Sequence, residues 1–253
     1  MYFRRGLLLF SVLMVVLTIF SCDEDGDNLE SYIPNEEGST WVYNVTDNTI
    51  GTFTRTVKVK GERVIGETTC QIMEDTKSNA PEDVMRTFFH DNEINTVSIY
   101  GYESVTDGNV NWTHYFTEAW VEYYYPFVVG SSLTIIDEKG MNPTDVPFIY
   151  FPDDDIDDDG VDDTIDLTII AYVQSQEDIT VPAGTFEDAF KIYTDGDMTF
   201  HLSTWGDISV EMDNYSWNKP HIGRVKNDTT IDYDTEYIPD YESHSELTTY
   251  ELP

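Results

Sequence analysis

The sequence predicts an all-β protein built on a curved antiparallel sheet, barrel-like or sandwiched, and three observations carry that expectation. Segments rich in Val, Ile, Thr and aromatic residues alternate apolar with polar positions and recur every 8 to 15 residues, separated by turn clusters such as Thr106-Asp107-Gly108-Asn109. No segment keeps a helical period beyond two turns. A 40% hydrophobic content with 13 Phe, 17 Tyr and 5 Trp supports a packed core, which separates this chain from a disordered one in spite of its charge.

Taken in order, residues 1–21 read as a lipoprotein signal peptide. Arg4 and Arg5 precede an apolar run from Leu7 to Phe20, and Ser21 leads into Cys22. That run has 14 residues, short of the roughly 20 that a membrane span needs. Cleavage before Cys22 leaves a sulfur to carry lipid, so the mature protein is expected in the bacterial cell envelope, anchored to a membrane. The outer membrane and its surface are the expected site, because the acids after Cys22 resemble the surface-export signal of some Gram-negative lipoproteins; in other bacteria Asp23 at that place would signal inner-membrane retention. Residues 22–31 form an acidic tether, whose extended residues reach about 30 Å at most.

Loss of the signal peptide leaves 49 acidic residues against 11 basic ones. Such a chain repels phosphates, so nucleic acid is excluded as a partner and anionic headgroups are disfavoured. Lipidation consumes Cys22, and Cys70 is then alone in the strand-like Glu67–Met73 segment. No intrachain disulfide is expected, and Cys70 reads as a small buried hydrophobe.

Residues 32–253 form the β domain. Its expected strands are Thr40–Thr46, Thr52–Lys60, Thr68–Glu74, Met85–His90, Ile94–Tyr102, Trp120–Val129, Leu133–Asp137, Leu167–Gln174, Phe190–Thr194, Ser209–Trp217, Arg224–Asp232 and Glu246–Leu252. An internal echo suggests two related lobes, 32–125 and 126–253. Pro34, Gly38, Trp41 and Tyr43 match Pro126, Gly130, Leu133 and Ile135 at a constant offset of 92 residues. Val64-Ile65-Gly66 has a looser counterpart in Val181-Pro182-Ala183-Gly184.

Three segments also carry a family resemblance. Tyr32–Tyr43, with its Pro34, Gly38, Trp41 and Tyr43, the later Val181-Pro182-Ala183-Gly184-Thr185-Phe186, and the closing Gly223-Arg224-Val225-Lys226 resemble signposts of the TapB-like and DUF3108-like bacterial exported β proteins. The resemblance spans residues 32 to about 235. It implies a curved, barrel-like antiparallel sheet and brings no established activity. Leu133 stands where that pattern has a second Trp, and the acidic insertion described next is not part of the pattern.

Residues 153–166 hold nine aspartates in 14 positions. Within them Asp155, Asp157 and Asp159 occupy positions 1, 3 and 5 of a calcium-loop template, Gly160 position 6, the Val161 carbonyl position 7, and Asp163 and Asp166 positions 9 and 12. Ca²⁺ needs six to eight hard oxygens, and a glycine at the sixth place lets alternate side chains turn onto one ion. Flanking Phe151-Pro152 and Leu167–Ile170 deny the loop the helices of an EF-hand, and it resembles more the calcium loops of thrombospondin type 3 repeats. A structural Ca²⁺ is therefore expected, against the alternative of a merely solvated acidic loop.

Other chemistry is missing from the sequence. His90, His114, His201, His221 and His244 are scattered without zinc spacing, and no Gly-x-Ser-x-Gly elbow, phosphate loop or dinucleotide fingerprint occurs. No catalytic residue is assigned and the chain is not expected to be an enzyme. A cluster from Trp112 to Tyr125 is the candidate recognition surface, with Trp112, Trp120, Tyr123 and Tyr125 as its ligand-binding residues, although aromatics are also ordinary strand formers. The leading expectation is a non-catalytic binding or structural protein of the envelope with a glycan or protein partner. A carbohydrate-binding lipoprotein and a carrier of apolar ligands are the alternatives.

Overall fold

The computed structural model describes residues 34–91, 96–146, 151, 153–235 and 238–253. The signal peptide, Cys22 and the tether lie outside the described residues.

Twelve strands form one antiparallel sheet: β1 (Thr40–Asp47), β2 (Gly51–Ile65), β3 (Thr68–Lys77), β4 (Ala80–Asp91), β5 (Thr96–Thr106), β6 (Asn109–Tyr124), β7 (Ser132–Met141), β8 (Thr164–Val181), β9 (Gly184–Leu202), β10 (Gly206–Lys219), β11 (Gly223–Tyr233) and β12 (Tyr241–Glu251). Each strand pairs with its neighbours in sequence except at one place. The spatial order runs β6-β5-β4-β3-β2-β1-β12-β11-β10-β9-β8-β7, so β1 meets β12 while β6 and β7 are the two edges. The sheet is curved and not closed. Alternation sets its two faces: along β1 Trp41, Tyr43, Val45 and Asp47 turn inward and are buried, while the residues between them face away from the core. The core runs continuously through both halves, from Trp41, Val59 and Phe89 to Ile165, Ile192, Ile231 and Leu247.

The all-β expectation stands, and each of the twelve expected segments overlaps a strand. The strands are longer than expected, up to 19 residues in β9, because bulges such as those between Val59 and Glu62 or Trp217 and Asn218 let long strands coil instead of ending. The largest correction concerns β6. It begins at Asn109 and ends at Tyr124, whereas the expected strand ran from Trp120 to Val129. Alternation through Trp112, His114 and Phe116 was the available signal for it.

The two stretches linked by the offset of 92 have the same local geometry. Gly38 and Gly130 both adopt positive φ, 104° and 89°. The Gly38 and Gly130 N–H groups donate to Val59 and Val173 at 3.0 and 2.8 Å, and the Ser39 and Ser131 carbonyls accept from those same valines at 2.9 and 3.0 Å. Each half thus begins with a glycine turn clamped to the middle of its second strand. The difference lies between the first two strands: a short turn joins β1 to β2, and the acidic segment joins β7 to β8.

Candidate functional site

The acidic segment is folded on itself by its own carboxylates. The Asp163 N–H donates to the Asp154 carbonyl at 2.7 Å and closes the loop, and Asp154 Oδ1 accepts the Thr144 N–H and hydroxyl at 3.0 and 2.6 Å. Asp163 is buried, with Oδ2 accepting the Ile156 N–H at 2.7 Å and Oδ1 accepting the Ser203 N–H at 3.1 Å. Asp155 accepts the N–H groups of Asp159 and Gly160 at 3.1 and 2.7 Å, which requires the sharp turn that Gly160 makes at φ 89°.

These turns bring Asp155, Asp157 and Asp159 together, with one carboxylate oxygen from each lying within 4.8 Å of the others. Asp157 Oδ1 is enclosed and accepts no hydrogen bond, while its Oδ2 accepts the Thr204 N–H at 2.9 Å. Asp159 Oδ2 accepts the hydroxyls of Ser203 and Thr204, the latter at 2.6 Å, and these bonds, Ser203 first, hold its carboxyl below the usual range. Ser203 and Thr204 form the β9–β10 turn. They are the residues that sequence reasoning missed, because they lie 40 to 47 positions from the aspartates they hold.

The other template positions have different roles. The exposed Val161 gives its N–H to Asp159 Oδ1 at 2.9 Å. Asp163 is committed to the loop backbone. Asp166, at the start of β8, accepts the Gly140 N–H at 2.8 Å and sits 3.5 Å from His201 Nε2; the Gly140 bond is the main reason its carboxyl is held low. Three of the five expected carboxylates, Asp155, Asp157 and Asp159, therefore come within ligand reach of one another.

The aromatic cluster is not a shared exposed platform. Trp112, Phe116 and Trp120 pack against the core, Phe116 edge-on to both Tyr102 and Trp120 at 5.7 and 6.2 Å between centroids. Tyr125 is a core residue, 3% exposed, with its hydroxyl on Asp91 Oδ1 at 2.5 Å. The side chain of Tyr123 lies outside the described residues. Because β6 alternates, residues 112, 114 and 116 share one face, which the sheet turns inward.

The outward faces of the two halves carry charge in opposite ways. On β3–β4–β5, Glu74, Arg86 and Glu103 are direct cross-strand partners in one row, with Lys58 of β2 opposite Glu74. Arg86 bonds Glu74 and Glu103 at 2.9 and 2.6 Å, and Arg63 reaches Glu103 at 2.9 Å. Burial alone would raise the Glu103 carboxyl, but the Arg63 and Arg86 bonds outweigh it and hold the group low.

On β9–β10–β11, the corresponding strands of the second half, Asp197, Glu211 and Asp232 stand directly opposite one another, and Asp195 faces Asp213 in the next row. None of these five has an ion-pair partner among the described residues. Burial, then the Asp197 and Asp213 charges, push the Asp195 carboxyl up. One row further along, Tyr172, Tyr193 and Tyr215 stack at 5.9 and 4.9 Å, and Lys191 lies over Tyr215 and Trp217 at 5.0 and 5.2 Å.

No protein-family model and no curated protein matches the chain. Among solved structures it is similar to a protein from Bacteroides fragilis described as exported with a YmcC-like fold, at 14% identity and a TM-score of 0.40 over 87% of this chain and 98% of that one. It is also similar to a protein from Parabacteroides distasonis described as a lipoprotein, at 15% identity and a TM-score of 0.43 over 90% of this chain and 100% of that one.

Proposed function

We propose that this is a non-catalytic, lipid-anchored binding protein of the cell envelope, that its outward β9–β11 face receives a cationic protein partner, and that Ca²⁺ orders its β7–β8 connection. The observation that carries the reading is the doubled carboxylate row: Asp197, Glu211 and Asp232 beside Asp195 and Asp213. Like charges directly opposite each other across a sheet cost stability, and the same strands of the other half avoid the cost by alternating sign. The five carboxylates do not form a metal cage, since the group within ligand reach among the described residues is Asp155, Asp157 and Asp159. Charges spread along the outward face suit several separate positive groups, such as the lysines and arginines of a polypeptide.

At the loop, the enclosed and unbonded Asp157 Oδ1 supports a cation, because a buried carboxylate oxygen without a partner is costly. Oxygen donors suit a hard cation, and acids at positions 1, 3 and 5 with a glycine at 6 favour Ca²⁺ among them. The anchor rests on the signal sequence and Cys22. A glycan platform loses its support with Tyr125 in the core and Trp112 and Trp120 packed against it.

Titration of the purified protein with a lysine-rich peptide at several salt concentrations tests the reading. Binding should weaken steeply with salt, and Asp195→Asn with Asp213→Asn should weaken it several-fold more than Glu62→Gln with Glu82→Gln. Equal losses from the two pairs would overturn the assignment of the face, and salt-independent binding to neutral glycans on an array would replace it with the carbohydrate reading.

A further inference from the structure

The inner wall of β9–β12 is partly polar. Thr194 of β9, Asn214 of β10 and Thr229 of β11 stand directly opposite one another, and the next row holds Ser216, Asn227 and Ser245. All six are at most 6% exposed. Thr229 Oγ1 donates to Asn214 Oδ1 at 2.8 Å and accepts from Asn227 Nδ2 at 2.7 Å. That leaves Asn214 Nδ2, a donor, and Thr194 Oγ1, which both donates and accepts, without a protein partner. The two residues are 2% and 1% exposed and are cross-strand neighbours, while the neighbour of Thr194 on its other side is Ala171, whose side chain offers no hydrogen bond.

Two unmet groups side by side on a wall sealed from bulk solvent have a specific chemical requirement. Each costs free energy unless something small, neutral and capable of both donating and accepting lies between them. An apolar molecule would leave both unmet, and a cation would meet the amide donor head-on. We propose that an ordered water molecule is bound on this inner wall, accepting from Asn214 Nδ2 and hydrogen-bonded to Thr194 Oγ1.

A crystal structure at a resolution that shows solvent, together with the thermal stability of Thr194→Val, tests the site. Solvent density within hydrogen-bond distance of both atoms is expected. Removing the hydroxyl while keeping the shape strands the water and the amide, so Tm should fall, by about 2–4 °C per kcal/mol lost in a chain of this size. Thr194→Ser, which keeps the hydroxyl, should stay closer to the parent. A rise of Tm in Thr194→Val would mean that the hydroxyl was dry and unpaired, and would overturn the proposal. So would density showing the Asn214 amide turned over, with Thr194 bonded directly to its oxygen.

Discussion

The outward faces of β3–β5 and β9–β11 are built on the same position within two six-stranded halves, yet one alternates charge and the other does not. Glu74, Arg86 and Glu103 neutralise one another across three strands, whereas Asp197, Glu211 and Asp232 repeat one sign. Composition has the same tilt: residues 34–124 carry 15 acidic and 6 basic residues, and residues 125–253 carry 29 and 5. The acidity of this protein is therefore placed rather than spread. A sheet can close its charge within itself, as β3–β5 does, whereas the rows on β9–β11 have no ion-pair partner among the described residues.

The largest effect is expected at Glu103. Its replacement by Gln removes the shared partner of Arg63 and Arg86 from a site where the carboxylate is 3% exposed, and should cost about 3 kcal/mol in urea unfolding. A loss no larger than that of the exposed Glu62→Gln would mean that the paired row contributes little. Next in size is calcium removal. At a hundredfold excess over the dissociation constant, bound Ca²⁺ would contribute about 2.7 kcal/mol, so chelation should lower Tm and Asp157→Asn with Asp159→Asn should abolish the response. Identical melting of the parent with and without chelator would rule the ion out.

Smaller effects of opposite sign are expected in the two halves. Glu211→Gln relieves repulsion from Asp197 and Asp232 and should stabilise by about 0.5 kcal/mol, while Glu74→Gln in the other half should destabilise. Both losing stability would show that the acidic rows are compensated after all. The smallest difference is in pH dependence. Asp195 has a folded value raised above its ordinary 3.8, so the folded state holds the proton more tightly and gains stability as pH falls through that raised value. Glu103 has a folded value held below its ordinary 4.5, so its contribution is complete above 4.5 and is lost as pH falls through the lowered value. Stability measured against pH should accordingly lose its acid-side gain in Asp195→Asn and part of its acid-side loss in Glu103→Gln; the reverse pattern would contradict both assignments.

Much of the strand content was legible because a period of two is a local property. The Trp112–Tyr125 region shows how local evidence misleads: its rings suggested a recognition surface, while their spacing at 112, 114 and 116 is that of an inward-facing strand. The aspartate template was legible for a similar reason, since Asp155, Asp157, Asp159 and Gly160 depend on a turn of six residues. Its support from Ser203 and Thr204 was not, because β8 and β9 must first run out and back to bring that turn to the loop.

Residues a few positions apart were enough for the all-β class, the approximate places of most strands, the repeat of Gly38 at Gly130 and the aspartate spacing, but not for the start of β6 at Asn109. Contacts across the whole sheet set that β1 joins β12 while β6 and β7 stay as edges, that Tyr125 lies in the core, and that five carboxylates align across three strands. Those outcomes follow from register, and register is chosen by the packing of the whole inner face, which no single strand contains.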